Sequence, residues 1–289
     1  MQRSHGVGIA ALVLWLAGGP AGRADPPGAS TADYTLFNPT PDADLRGMDT
    51  DRPNHVDTPH TVDAGHIQIE AGLADFVRQW QGGAGSGTAF ATGQLNARVG
   101  ITDAVELNLE LDSFDWQRLH DSGTHTATGI GDLTFGGKVN FWGNSGSDDS
   151  WATALAIKPQ VKLPTAGSTL GDGHVEAYAE FPFLMNLPAG FHLGLQTVPG
   201  IVRNYTNTAY VGGVQNAISI DRVVVADADV YVEYWSQVTT RREAVGQQTL
   251  DVGFTYPLTK NLVLDNGAFF GLNHYSTSFE YVAGFSIRY

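Results

Sequence analysis

Residues 277–289, TSFEYVAGFSIRY, decide the fold because their side chains alternate in character along the whole stretch. A period of two sends neighbouring side chains to opposite faces of a pleated β-strand, so this stretch predicts a strand with two different faces. A last strand that pairs with the first strand closes a barrel and leaves no exposed edge. The alternative is an ordinary half-buried strand at the end of a soluble β-sandwich. The apolar face comprises Phe279, Tyr281, Ala283, Phe285, Ile287 and Tyr289, and the other face comprises Ser278, Glu280, Val282, Gly284, Ser286 and Arg288.

The composition excludes several kinds of site. The chain of 289 residues contains no Cys, so it has no disulfide framework, no thiolate metal site and no nucleophilic cysteine. Its formal net charge is −14 with only 16 Lys and Arg residues, whereas nucleic-acid binding rests on basic groups that neutralise phosphates. We therefore expect no nucleic-acid partner. All-β chains of this length commonly form one domain.

The first residues have the composition of an export signal. Arg3 precedes an apolar run over residues 7–16, and small residues surround Ala24. A basic start, a short apolar core and small residues at the cleavage point predict a secretory signal peptide over residues 1–24. A helix needs ~20 apolar residues to span a bilayer, and no stretch of the sequence approaches that length. A membrane-spanning form of this chain would therefore be a closed barrel.

Alternating runs fill the chain from residue 66 to residue 289, and about twelve of them can be counted. The clearest covers residues 105–112, where four aliphatic side chains alternate with three carboxylates and an asparagine. Carboxylates at every second position fit badly in a dry core, so this polar face must meet water. An even number of strands with apolar-out and polar-in alternation is what a transmembrane β-barrel requires. Residues 25–65 show no sustained period and predict an extended N-terminal periplasmic or plug segment.

The predicted connections alternate in length. Short turns at one end and longer loops at the other are typical of transmembrane barrels. The gaps at residues 143–150 and 221–228 fit that asymmetry less well. We predict the longer loops at residues 79–87, 115–128, 164–173 and 239–248.

A motif near the start of the alternating region gives the chain its resemblance to a known family. Residues 49–53 read Asp-Thr-Asp-Arg-Pro, and residues 58–70 follow with TPHTVDAGHIQIE. With weaker matches at residues 129–133, 161–165 and 231–234, this region resembles the bacterial outer-membrane transporter family named for the meta-pathway of phenol degradation. That family commonly has an acidic residue after the Asp-Arg-Pro triplet. This chain has Asn54 there, so no carboxylate role is carried over to that position.

The ending resembles the C-terminal strand of Gram-negative outer-membrane barrels, which typically finishes on an aromatic residue. By that resemblance, Phe285, Ile287 and Tyr289 are the candidate assembly signal.

The alternating runs and the family resemblance together predict an all-β fold: a single transmembrane antiparallel up-and-down β-barrel of about 12 strands in a cell outer membrane. The resemblance implies passive uptake of small molecules, aromatic or hydrophobic ones among them, with no cofactor and no catalysis. The expected partners are outer-membrane lipid, a small-molecule solute and the barrel-assembly machinery. Two alternatives stay open, namely an outer-membrane enzyme acting on lipid or peptide and a closed structural or adhesive barrel.

The polar face of each predicted strand points inward, which predicts a charged lumen. Its acidic and basic side chains would face one another either as an ion-paired filling or as a permeation path. Residues 49–66 are predicted to fold into or under this lumen, with Asp51 and Arg52 as plug candidates, because a charge in a narrow space needs a partner. The alternative is a disordered periplasmic tail. The lumen-lining candidates are Arg98, Glu106, Glu110, Asp112, Lys138, Lys158, Lys162, Glu176, Glu180, Glu233, Asp251, Glu280 and Arg288.

Three prolines fall inside neighbouring predicted strands. Pro159, Pro182 and Pro199 cannot donate to a strand ladder, so they predict locally broken pairing in the barrel wall. One interpretation is a set of β-bulges that shape the barrel. The other is a lateral opening through which an apolar solute leaves the lumen into the bilayer.

Histidines offer only weak catalytic or metal-binding patterns. His120 and His125 lie with Asp115 and Asp121 in one predicted loop, and His55, His60 and His66 flank the Asp-Arg-Pro triplet. A structural zinc site usually needs four well-placed ligands, so neither group predicts a metal. No nucleophile-elbow motif is present.

Overall fold

The structure is a computed structural model that describes residues 33–82, 85–120, 123–147, 149–167, 170–204, 207–225, 227–240 and 246–289. The predicted signal peptide and Asp121 lie outside the described residues. No helix within these ranges is long and apolar enough to cross a membrane. The strands are β1 (Ile67–Gly82), β2 (Gly85–Thr102), β3 (Val105–His120), β4 (Thr124–Gly129), β5 (Leu133–Trp142), β6 (Thr153–Leu163), β7 (Glu176–Leu187), β8 (Phe191–Arg203), β9 (Tyr210–Val223), β10 (Asp229–Thr239), β11 (Gln247–Thr259), β12 (Leu262–Gly271) and β13 (Phe279–Arg288).

These strands close into one ring. Consecutive strands pair antiparallel from β5 to β13, β13 pairs with β1, and β1, β2 and β3 continue the ring. The first half of β3 pairs with β5 and its second half pairs with β4, so β4 and β5 together occupy one place. The fold is therefore a closed antiparallel barrel of 12 strands, which confirms the prediction from the alternating runs.

The final strand closes this ring as its sequence predicted. In the β1–β13 ladder Phe285 lies opposite Ala71, and Ile287 lies opposite Ile69. The amide of Tyr289 donates to the carbonyl of Ile67 at 2.9 Å, and the reverse bond measures 3.1 Å. The strand therefore has a partner on each side and no free edge.

The barrel is polar inside and apolar outside. Arg98, Lys138 and Glu106 are at most 1% exposed, whereas Leu107 and Leu109 on the outer face are each 44% exposed. In β3 and β5 the buried and exposed positions alternate regularly, as a period of two requires. An apolar outer belt around a polar interior suits a barrel that lies in the hydrocarbon core of a bilayer.

Two predicted loops are wrong. Residues 79–87 are mostly the continuation of β1 and β2, and residues 115–128 are mostly the β3–β4 hairpin. In these stretches apolar residues no longer occupy every second position, and that alternation was the signal from which strands were predicted. The backbone ladder nevertheless continues, because its hydrogen bonds do not depend on which side chains alternate. The hairpins project beyond the apolar belt at what we call the loop end, and we call the opposite end, where β1 begins, the turn end.

The three prolines interrupt the ladders without shifting them. Pairing stops on one side of Pro159 in β5–β6, of Pro182 in β6–β7 and of Pro199 in β7–β8, and it resumes in the same register beyond each. No β-bulge forms at these positions, so the bulge interpretation does not describe this wall. Pro182 faces inward and is buried, whereas the other two face outward.

Candidate functional site

Residues 49–65, which we call the inner segment, run inside the ring at the turn end. The guanidinium of Arg52 pairs with Asp265 on β12, with 3.1 Å between Nη2 and Oδ1. The ring of His55 lies 3.0 Å from the carboxylate of Glu233 on β10. These two partners lie on neighbouring parts of the wall, but Asp51 of the same segment contacts Lys138 on β5, so the segment crosses the lumen.

Three wall glutamates hold the backbone of the inner segment. Irregular backbone inside a membrane barrel needs hydrogen-bond partners, because no hydrocarbon can supply them. Each carboxylate accepts from backbone amides, and each is almost completely buried. Glu70 on β1 accepts from Asp51 and Arg52 at 3.1 Å, Glu233 accepts from His55 at 2.8 Å and from Val56 at 2.9 Å, and Glu106 on β3 accepts from Val62 at 2.7 Å.

Asp51 lies at the centre of the buried charges. Its carboxylate is 2.8 Å from Lys138, 3.4 Å from Arg98 and 3.6 Å from Lys158. Burial alone would raise the pKa of the Asp51 carboxyl, but these three cations outweigh it and hold that pKa well below its ordinary value. Asp51 is therefore an anion at neutral pH, and its removal would leave buried cations short of a partner.

His55 is a second charged anchor of the inner segment. Burial favours the neutral ring, but hydrogen bonds to Asp251 and Glu233 outweigh burial and raise the pKa of His55 to about 10. The ring stacks on Trp235, with 4.8 Å between centroids, and lies 5.1 Å from the ring of Phe269. An imidazolium between two carboxylates and two aromatic rings fixes this part of the segment to β10, β11 and β12.

Two glycines in the wall make room for Arg52. Gly72 on β1 and Gly284 on β13 lie opposite each other in the ladder. A Cβ atom on Gly284 would lie 2.7 Å from Nη2 of Arg52, and one on Gly72 would lie 3.3 Å from Nη1 of the same arginine, which is closer than ordinary van der Waals contact. The missing side chains therefore shape the seat of the guanidinium.

Ion pairs also tie the end of the inner segment to the barrel. Asp63 accepts from Arg46 at 2.7 Å and from Arg288 on β13 at 2.9 Å. Asn144, in the connection between β5 and β6, accepts from the amide of Thr61 at 2.9 Å. These contacts fasten the segment at the turn end, immediately before β1 begins.

The loop-end half of the lumen carries a different balance of charge. Lys162 pairs with Asp172 at 2.8 Å and with Glu176 at 3.0 Å. Asp75 is 9% exposed and accepts from Gln94 at 2.9 Å, while one of its oxygens has no partner among the described residues. No Lys or Arg among the described residues lies within ion-pair distance of Asp75, so the charges here are less completely paired than those around the inner segment.

A cavity of about 450 Å³ lies between the inner segment and the wall from β6 to β12. Asp49 and His60 line it from the segment, and His192, Asp221 and Asp229 line it from β8, β9 and β10. The space has the size of a small-molecule pocket.

The only Asp–His–hydroxyl grouping found among the described hydrogen bonds has the wrong geometry for a catalytic triad. His60 uses Nδ1 both for Asp49, at 2.5 Å, and for the hydroxyl of Thr58, at 3.3 Å. Its Nε2 lies 3.1 Å from the carbonyl of Gly143. A triad divides the two ring nitrogens between the acid and the nucleophile, so this grouping cannot relay a proton to Thr58.

The structure places the predicted lumen residues on the inner face, where they fall into two groups. Arg98, Glu106, Lys138, Lys158, Glu233, Asp251 and Arg288 lie at the inner segment or at its ends. Lys158 joins Asp57 at 2.7 Å to Glu110 at 3.0 Å and Glu180 at 3.5 Å. The remaining four, Asp112, Lys162, Glu176 and Glu280, lie towards the loop end.

The two histidine groups named from the sequence do not assemble as metal sites as far as their described members show, and Asp121 lies outside the described ranges. His120 contacts Thr124 across the β3–β4 hairpin, and His66 lies between the carbonyls of Thr40 and Tyr289. Two other groupings have ligand atoms within 4.8 Å of one another, namely His55 with Glu233 and Asp251, and His192 with Asp221 and Asp229.

Sequence reasoning missed Asp265, Glu70 as a backbone acceptor, and the trio on β8, β9 and β10. Asp265 shares its inward parity with Val263 and Phe269, so β12 does not look polar on that face. Glycines at inward positions were a usable signal, because they mark places where another part of the chain approaches the wall.

Comparison with known proteins agrees with this architecture. The family described as MetA-pathway of phenol degradation matches residues 50–289. The COG4313 outer membrane channel from Pseudomonas putida F1 superposes with a TM-score of 0.58 at 11% identity, covering 78% of this chain and 95% of that chain. An anion-selective porin from Comamonas acidovorans gives a TM-score of 0.37 at 8% identity, covering 78% of this chain and 98% of that chain. No curated protein matches the sequence.

Proposed function

Because the chain belongs to the MetA-pathway of phenol degradation family, we propose that it is an outer-membrane channel for passive uptake of small molecules, aromatic or hydrophobic ones among them. The loop end would face outward and the turn end the periplasm, since short turns lie on the periplasmic side of such barrels. Export by the predicted signal peptide, insertion by the barrel-assembly machinery and contact with outer-membrane lipid belong to the same proposal.

One observation carries this proposal. A closed barrel with an apolar outer surface encloses a polar interior, and a cavity lies beside the inner segment. A barrel with a purely structural or adhesive role does not need such a space. An enzyme would need a nucleophile that contacts one ring nitrogen of a histidine base while an acid contacts the other. His60 and Thr58 do not provide this arrangement.

The mixed charges of the lumen favour different roles at its two ends. Around the inner segment nearly every charge is paired, so those residues serve as an ion-paired filling that positions the segment. At the loop end, Asp75 and its neighbours are less completely paired, so this half of the lumen keeps a negative charge that would act on a passing solute. We assign selection of solutes to the loop-end half and restriction of passage to the inner segment.

The wall offers apolar solutes a second route. An outer groove of about 490 Å³ is lined mainly by apolar side chains, among them Phe181, Phe183 and Leu195. It reaches the pair Phe181–Thr197, beside which the β7–β8 ladder is interrupted at Pro199. We propose that an apolar solute leaves the lumen laterally here, because the β7–β8 ladder lacks its pairing between Tyr178–Gly200 and Phe181–Thr197.

Liposome swelling tests the channel proposal. Purified protein is reconstituted and swelling rates are compared across sugars, amino acids and aromatic acids, with protein-free liposomes as the control. We expect solute-dependent swelling, fastest for small aromatic compounds. No swelling with any solute, and no conductance in planar bilayers, would favour a closed barrel. Turnover of lipid or peptide substrates that a serine-directed inhibitor blocks would favour an enzyme.

A further inference from the structure

One cluster of side chains plays no part in holding the inner segment. His192 on β8 and Asp221 on β9 are directly opposed in the ladder, with 2.7 Å between Nδ1 and Oδ2. Asp229 is the first residue of β10, diagonal to Asp221, and all three side chains point into the cavity at the turn end. Strands rather than loops position this cluster, so its geometry is fixed by the ladder.

The spacing of the three side chains suits a bound cation. One ligand atom from each lies within 4.8 Å of the other two. Four ligands around zinc at ~2.1 Å lie about 3.4 Å apart, so small side-chain movements would bring these atoms to coordination distance. His192 and Asp221 keep 33% and 20% of their side chains exposed to the cavity, which gives an ion access.

Apart from His192, no basic side chain in the described part of the chain offsets the two carboxylates of the cluster. No Lys or Arg among the described residues lies within ion-pair distance of Asp221 or Asp229. The adjacent Arg222 turns outward and lies 4.9 Å above the ring of Phe191. Oδ1 of Asp229 is buried without a hydrogen-bond partner. Two neighbouring carboxylates with one imidazole and an unused buried oxygen call for a positive ligand.

The similar grouping at His55 provides a contrast. There Glu233 is already occupied by the amides of His55 and Val56, and the side chains of Glu233 and Asp251 are 0% exposed. That grouping is an internal anchor with no access for an ion. Each grouping keeps one carboxylate oxygen without a hydrogen-bond partner, but only the cluster on β8, β9 and β10 is open to the cavity.

We infer that His192, Asp221 and Asp229 form a binding site for a divalent transition-metal ion, of the zinc type, at the turn end of the lumen. One imidazole and two carboxylates are ligands that zinc accepts, and water from the cavity would complete the coordination. A bound ion would join three adjacent strands at the turn end, where no connection links β8 to β9. The site does not depend on the passage of solutes.

The test is a zinc titration by calorimetry at pH 7.5, using tag-free, chelator-treated full-length protein in detergent. We expect saturable binding of one ion per chain at this site. Asp229→Asn should weaken that binding at least 10-fold, because it removes a charged ligand. Asp227→Asn is the matched control: Asp227 lines the same cavity outside the cluster, and its φ of 65° is one that Asn tolerates. Heat-modified gel mobility verifies that each variant is folded.

The outcomes separate a site from a generally acidic cavity. Weaker zinc binding by Asp229→Asn with unchanged binding by Asp227→Asn supports the site. Similarly weakened binding by His192→Gln shows that the imidazole is a ligand. Equal losses in the two aspartate variants, or no saturable binding by the wild-type protein, would overturn it. Equal competition by magnesium at the same concentration would refute the zinc-type assignment, since magnesium prefers oxygen ligands.

Discussion

Replacing Glu233 by Gln should release part of the inner segment while leaving the barrel intact. The carboxylate accepts from two backbone amides and from the ring of His55, at 2.8, 2.9 and 3.0 Å. A hydrogen bond to a charged group contributes roughly 1.5–3 kcal/mol. Gln keeps one acceptor oxygen but loses the other and the charge, so we expect a cost of about 2–4 kcal/mol. That corresponds to about a 30- to 700-fold larger released population.

Cysteine labelling measures this population directly. The chain has no native Cys, and Val56 is only 7% exposed, so Val56→Cys gives a single buried probe in the held region. Its reaction with a water-soluble maleimide should be faster in the Glu233→Gln background by the factor above. Glu176→Gln is the matched control, because Glu176 pairs with Lys162 at the loop end and does not contact the inner segment.

A second probe separates release from unfolding. Phe37 is 93% exposed, so Phe37→Cys should react equally fast in every background. If Val56→Cys reacts no faster with Glu233→Gln than with Glu176→Gln, in barrels that retain heat-modified mobility, then Glu233 does not hold the segment and the reasoning fails.

Three further outcomes are expected. Tyr289→Asp should lower the yield of heat-modifiable barrel, because it places a charge on an outward residue that is 70% exposed beside the closing ladder; undiminished yield would contradict an assembly role. His55 has an ordinary pKa of 6.5 and a raised folded value of about 10, so its stabilisation is complete below 6.5 and is lost as pH rises through 10; the protection of inner-segment amides, taken relative to their intrinsic exchange rate at each pH, should fall over that range, and less so in His55→Gln. Replacing Pro159, Pro182 and Pro199 together by Val should restore ladder bonds; the lateral route is excluded if uptake of an apolar aromatic solute persists undiminished in a correctly assembled barrel.

The barrel could be predicted because its signal is local. Alternation along residues 105–112 or 277–289 identifies a strand and its two faces without knowledge of any partner. The prediction failed where that signal ended, at the outer parts of β1 to β4, because both faces of a projecting hairpin meet water and need no apolar parity.

For the inner segment, the sequence predicted the type of contact but not which residues make it. The sequence indicated that Arg52 needs an inward carboxylate, but the choice of Asp265, 213 residues away, depends on the register of β12 around the whole ring. The same holds for His192 and Asp229, whose proximity results from two successive ladders. Register in a closed sheet is a collective property, so no short motif encodes these pairs.

Closure of β13 on β1 also constrains the order in which the molecule can be built. Asp63 and Arg288 are bonded although 225 residues separate them, so the ring cannot form until the last strand is available. Contacts of such long range are slow to form, because the entropy of closing the chain must be overcome first. Residues 51–62 are bonded to β1, β3 and β10, and these strands surround one lumen only when the two edges have met. The contacts that fill the barrel are therefore completed only once the ring is closed, and before that step the segment lacks its full set of partners.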